Sequence, residues 1–200
     1  MNKRSAYGLG VVHYDASELN RIIMKSLLDL KVPALSLQPS AFAYCKNGRI
    51  RKVFLDPLLK ALELGVLPVV YGDIGLDSAK GCCIMSTERI LAKLAIKLRK
   101  YYEIRMVMCG IVDGVYTADP LKSKDAKFIG LINRKNIKEV ESYLSGSHGI
   151  DVTGGMLHKV RMLYKLAKYG IKSYLINGNK PGLLRKVLMG RRVRGTIIEY

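Results

Sequence analysis

Leu19, Ile22, Ile23, Leu27, Leu28 and Leu30 recur at the spacing of one helical face, which predicts a helix over 16–30, ended by Pro33. The twelve residues before Val12 ends carry no clear period. Short apolar runs and helical patterns then alternate. Residues 34–37 read as a strand, turned by Gln38-Pro39-Ser40. Residues 42–45 and 50–54 flank Asn47-Gly48, a dipeptide suited to a tight hairpin. Asp56 reads as an N-cap with Pro57 at the first helical position, opening a helix that Gly65 stops. Residues 67–71 are a buried strand ending at Gly72-Asp73, and 74–76 with 82–85 form a second hairpin. Ser86 caps a helix over 87–99, and a strand at 104–109 empties into a loop reaching Pro120.

The C-terminal part continues the alternation. A polar helix covers 135–144. Val160, Leu163, Tyr164 and Ala167 mark a long amphipathic helix closed by Gly170, with the Tyr164 ring expected in the core. A strand at 172–176, a short helix at 182–188 and a last strand at 196–199 follow. This order predicts an α/β protein: a three-layer α/β/α sandwich on an open, mostly parallel sheet, in one domain over 1–200. Ligands of such sheets bind beyond the carboxyl ends of the strands, where Gly72-Asp73 and the loop from Asp113 to Asp119 fall.

Composition narrows the class. Hydrophobic residues make up 49% and charged residues 25%, a globular balance. No apolar run reaches the roughly 18 residues of a membrane span. The start, Met1 to Ala6, is not followed by a signal-peptide core. Cys45, Cys82, Cys83 and Cys109 match neither a disulfide framework nor a zinc site, so they read as reduced thiols of a cytoplasmic protein. The net charge of +18 suits a nucleotide or phosphorylated metabolite, and equally invites nucleic acid. Nucleic acid is the weaker reading: the charge runs along the whole chain, and its densest cluster, Arg185 to Arg194, lacks interleaved aromatics.

The chemistry centres on Asp151-Val152-Thr153-Gly154-Gly155-Met156-Leu157-His158-Lys159. Two glycines at a helix start let backbone N–H groups approach an anion, and the helix terminus favours phosphate. Lys159, about one turn in, adds a full charge. The same residues also read as a plain glycine-rich cap. Asp73 and Asp119-Pro120 have ordinary turn readings as well, and Tyr116 that of a ring packed under a loop. His13, His148 and His158 read as surface or structural residues.

Taken together, Tyr71-Gly72-Asp73, Val112-Asp113-Gly114-Val115-Tyr116-Thr117-Ala118-Asp119-Pro120 and Asp151 to Lys159 resemble the amino acid kinase superfamily. Pro33 to Phe42, Leu67 to Ile74, Asp77-Ser78 before Gly81 and Gly195-Thr196-Ile197-Ile198 most resemble its archaeal isopentenyl phosphate kinases. The resemblance implies ATP-dependent phosphorylation of isopentenyl phosphate to isopentenyl diphosphate, in isoprenoid biosynthesis, by a cytoplasmic homodimer. It implies that Lys159 contacts the ATP phosphates and stabilises the transferring group. Gly154 and Gly155 match their backbone cradle, and Asp113, Tyr116 and Asp119 the nucleotide pocket. Gly72 and Asp73 match the acceptor side, and Mg²⁺ is held through ATP oxygens with no protein metal site.

The chain also departs from the family. The family's first strand, a glycine-rich loop with a phosphate-contacting lysine and a second loop ending in a substrate-contacting histidine have no counterpart, so the chain reads as N-terminally truncated. Ser86-Thr87-Glu88 replaces a Ser-Gly-Asp whose aspartate orients catalytic lysines; Glu88 keeps that charge on a longer arm. Gly110-Ile111 replaces a polar nucleotide contact. These departures leave open a nucleotide-binding remnant, one half of a split kinase, or another acceptor such as uridylate.

Overall fold

The helix expected over 16–30 is the second half of a longer one, α1 (Lys3–Asp29). The computed structural model describes residues 3–146 and 155–200, in two compact units, Met1–Leu94 and Ala95–Tyr200. The face that α1 turns inward is not the one that most of the predicted apolar positions mark. Leu9, His13, Ala16, Asn20, Met24 and Leu27 recur on its more protected side, whereas Leu19, Ile22 and Leu30 are 64%, 63% and 75% exposed. Buried Asn20 donates to the Ser36 hydroxyl at 2.5 Å. Gly8, Gly10 and the polar His13 hid the helix's first half from the hydrophobic period.

The first unit continues with β1 (Ala34–Ser36), α2 (Pro39–Phe42), β2 (Ala43–Lys46), β3 (Arg49–Val53) and α3 (Asp56–Glu63). Then come β4 (Leu67–Val69), β5 (Asp73–Asp77), β6 (Gly81–Met85) and the start of α4 (Thr87–Leu98). β1 pairs with β4 in parallel, and a second sheet runs β3-β2-β5-β6 with two hairpins flanking a parallel β2–β5 contact. Asn47 and Gly48 both take left-handed backbone, at φ 53° and 70°, as the tight hairpin requires. The cap of α3 differs from expectation. Leu55 is the N-cap, and Asp56 sits inside the first turn, where it suits the helix dipole without a capping bond. Ser86 does cap α4, accepting the Arg89 N–H at 3.4 Å.

Asp77 joins the two hairpins. Its buried carboxylate accepts the N–H groups of Asn47, Gly48, Ala79 and Lys80 at 2.6–3.0 Å. Burial pushes its pKa upward, but those four bonds outweigh it and hold the group at about 2.

The second unit contains β7 (Arg105–Gly110), β8 (Val115–Tyr116), β9 (Phe128–Ile129), β10 (Leu131–Ile132), α5 (Ile137–Gly146), α6 (Gly155–Ala167), β11 (Lys172–Asn177), α7 (Leu183–Leu188) and β12 (Thr196–Ile198). Its main sheet runs β10-β12-β11-β7, with β7–β11 and β10–β12 parallel. Val160, Leu163, Leu166 and Ala167 of α6 are buried, as are Ile132, Leu175 and Ile198 of the sheet. Gly170 follows α6 with φ 77°, the left-handed stop that the pattern predicts. Tyr164, expected in the core, is only half-buried, because its ring leaves the α6 core face toward Tyr200 at a centroid distance of 6.0 Å. β8, β9 and β10 went unpredicted, since two-residue strands are too short to carry a period. The α/β class holds, with parallel pairs in both units. No helix among the described residues is long and apolar enough to cross a membrane.

Candidate functional site

In the first unit, Gly72 packs against the start of α4. A Cβ there would lie 3.3 Å from Thr87 Oγ1 and 3.4 Å from the Thr87 backbone N, so any side chain would crowd that helix terminus. Asp73 opens β5 and is 2% exposed. Its carboxylate accepts the N–H groups of Ser40 at 2.9 Å and Ile74 at 2.7 Å, and pairs with His13 Nδ1 at 2.8 Å. Burial and the Asp73 charge together push the Tyr71 hydroxyl pKa upward. Asp73 is therefore more than a turn aspartate: it joins α1, α2 and β5. His13, read from the sequence as a surface or structural residue, supplies the long-range partner, sixty positions away. Only the fold could reveal it. Glu88 lies half-buried in the first turn of α4, and its side chain forms no hydrogen bond or ion pair among the described residues.

In the second unit, Asp113 lies in the loop after β7 with its side chain 15% exposed. Three groups converge on it: Lys180 Nζ at 2.6 Å, Arg194 Nε at 3.0 Å and Asn177 Nδ2 at 3.2 Å. The Lys180 bond above all holds its pKa below the ordinary carboxylate value, against the opposing effect of burial. Asn177 ends β11 and Lys180 follows in its loop, while Arg194 precedes β12, so Asp113 gathers three chain segments at the carboxyl ends of β7 and β11. The sequence marked Asp113 but none of its partners. The Asn177-Gly178-Asn179-Lys180 loop was the available signal.

The next residue, Gly114, is fixed by close approach. A Cβ there would collide with Thr196 Oγ1 and lie 2.8 Å from the Thr196 backbone N. Buried Thr196 accepts the Val115 N–H at 2.7 Å and donates to the Ile129 carbonyl at 2.6 Å. Tyr116 meets Phe128 edge-on, with centroids 5.4 Å apart, and the Arg194 guanidinium lies 5.0 Å from the Phe128 centroid. Asp119 closes its own turn, accepting the Leu121 N–H at 2.9 Å. It does not join the Asp113 cluster by hydrogen bond or ion pair.

Gly155 begins α6 with left-handed backbone at φ 59°, and Lys159 follows one turn on, half-buried. Lys159 has no hydrogen-bond or ion-pair partner among the described residues. An oriented helix start beside a lysine is donor chemistry that fits phosphate. Asp151, Gly154 and His148 lie outside the described residues.

Residues 6–177, reaching into both units, match the model of the Amino acid kinase family. The chain is 36% identical over 198 residues to isopentenyl phosphate kinase of Methanothermobacter thermautotrophicus, covering 98% of this chain and 72% of that one. It is 35% identical over 183 residues to isopentenyl phosphate kinase of Methanocaldococcus jannaschii, covering 90% and 64%. A solved structure of an isopentenyl phosphate kinase superposes with a TM-score of 0.81 at 32% identity, covering 98% of this chain and 71% of that one.

Proposed function

The chain belongs to the amino acid kinase family, and from that premise we propose that it transfers the terminal phosphoryl group of ATP to isopentenyl phosphate, giving isopentenyl diphosphate. The observation that carries this reading is 36% identity over 98% of the chain to a kinase of that name. Phosphoryl transfer asks a protein mainly for positioning and electrostatic stabilisation. Lys159 provides a cation with no carboxylate partner among the described residues. Gly155 provides a backbone donor at the start of α6, and Gly154, the residue before it in sequence, is assigned to the same phosphate cradle. Asp113, Tyr116 and Asp119 bind the nucleotide, Gly72 and Asp73 serve the acceptor, and Glu88 supplies negative charge beside the α4 terminus. Mg²⁺ comes with ATP, held by phosphate oxygens. The single kinase-like domain, the homodimer and the cytoplasm belong to the same proposal, the last supported by four free thiols.

The test is ADP release by the 200-residue chain with isopentenyl phosphate, with uridylate as the comparison acceptor. Turnover no higher than the acceptor-free background overturns the reading. ATP binding by calorimetry without turnover would leave a nucleotide-binding protein in its place. In the active protein, Lys159→Ala should lower kcat by about 100-fold with the fold retained, and an unchanged rate removes Lys159 from the site.

A further inference from the structure

Basic residues run along the whole chain, but the net positive excess is weighted toward its C-terminal part. From Val152 to Ile198 the chain holds eleven Lys and Arg and no Asp or Glu, more than half of the net +18. Part of this excess meets aromatic rings. Arg161 and Lys165 of α6, with Lys168 just past its end, fall at i, i+4 and i+7, one side of the helix over roughly 10 Å at about 1.5 Å per residue. Arg134 and Lys138, before and within the first turn of α5, face them across an open groove of about 870 Å³. The one acidic side chain lining it, Glu141, is occupied by Arg161 at 3.0 Å.

Three tyrosines share this groove. Tyr200 is 60% exposed and Tyr169 40%. Tyr164 tilts against Tyr200, with Lys168 Nζ 5.3 Å from the Tyr164 centroid and the Arg134 guanidinium 5.9 Å from that of Tyr200. Aromatics interleaved with cations were the feature found wanting in Arg185 to Arg194. They exist here, assembled from α5, α6 and the end of the chain.

We propose that the α5–α6 groove binds single-stranded nucleic acid, its cations on backbone phosphates and its exposed tyrosines on unpaired bases. A cationic groove with aromatic platforms is the physical requirement for such a ligand. A free nucleotide has one cluster of phosphates and would leave most of a 10 Å cation row unused. A duplex hides its base faces from the rings. A lipid surface is flat and would take cations on a convex face, not facing each other across a groove. None of the residues assigned to phosphoryl transfer lines this groove, so the inference goes beyond that reading and stands or falls separately.

The test is fluorescence anisotropy of the full chain with labelled fifteen-residue oligouridylate and oligothymidylate at low salt. Saturable binding is expected. Lys165→Glu with Lys168→Glu should weaken it at least tenfold and flatten the slope of log affinity against log salt by about 1.4, two contacts at roughly 0.7 each. Tyr169→Ala with Tyr200→Ala should weaken it about tenfold and leave the slope unchanged. Arg51→Glu with Lys52→Glu, on β3 of the other unit, should change affinity less than twofold. Circular dichroism and kinase turnover of the groove variants establish that they are folded. The proposal is overturned by absent or unsaturable binding, by equal loss in the β3 variant, or by groove variants that bind as tightly as the parent. Equal competition by duplex, by ATP or by anionic vesicles overturns it as well.

Discussion

Asp77 in the first unit and Asp113 in the second are both held below the ordinary carboxylate pKa, by different kinds of donor. Asp77 takes four backbone N–H groups from two hairpin turns. Those donors move only if the turns break, so the carboxylate is a joint. Asp113 takes two cationic side chains and one amide. Lys180 and Arg194 are 50% and 62% exposed and sit on flexible stems, so they can leave Asp113 for a ligand's oxygens. A carboxylate satisfied by backbone marks architecture. One satisfied by half-exposed cations, at the strand ends where α/β proteins bind ligands, marks a place where partners can be exchanged.

The largest effect should follow from removing the joint. Asp77→Ala leaves four N–H groups without their acceptor and unties the two hairpins. Its thermal midpoint should fall by roughly 5–10 °C, read by circular dichroism. A fall under one degree would mean that water replaces the carboxylate at no cost and that the contrast with Asp113 is empty. The second effect concerns ligand, not fold. Asp113→Asn keeps the shape but loses the charge that positions Lys180 and Arg194. The thermal midpoint should stay within about 2 °C, since half-exposed ion pairs contribute little. KM for ATP should rise about tenfold, roughly 1.4 kcal/mol in binding. A large loss of stability with unchanged KM would make Asp113 a second joint.

The same distinction governs what could be read in advance. The hairpin at Asn47-Gly48, the cap at Ser86 and the stop at Gly170 are local, and each was legible because its chemistry lies within a few residues. Asp113 was legible as a motif residue, but Lys180 and Arg194 were not, because their pairing depends on parallel β7–β11 and antiparallel β11–β12 register. His13 failed to declare itself for the same reason, as its partner comes from β5, sixty positions away. α1 is the reverse case. Its period marked a helix correctly, but most of the face it marked is exposed, because the inward stripe holds Asn20 and His13, with Asn20 bonded to Ser36 and His13 to Asp73. The groove tyrosines were missed because Tyr164, Tyr169 and Tyr200 come together only when the C-terminal strand returns beside α6.

The smallest effect is the sharpest way to separate the two carboxylates. The Asp77 pKa is depressed in the folded protein, from 3.8 to about 2. Its contribution to stability is therefore complete above the unfolded value and is lost as pH falls from about 4 through 2, because protonation then favours the unfolded chain. The gap in thermal midpoint between the parent and Asp77→Ala should hold from pH 7 to 5 and narrow across that acid window. Asp113 is shifted in the same direction, so acid alone does not distinguish them. Salt does. Raising ionic strength to about 1 M shortens the screening length to roughly 3 Å, which weakens the half-exposed pairs at Asp113 and leaves short, buried backbone bonds at Asp77 nearly untouched. At pH 7 the gap for Asp77→Ala should therefore persist in high salt, while the smaller gap for Asp113→Asn closes. If both gaps close together, long-range charge rather than donor type holds the two aspartates, and the division between joint and exchangeable site fails.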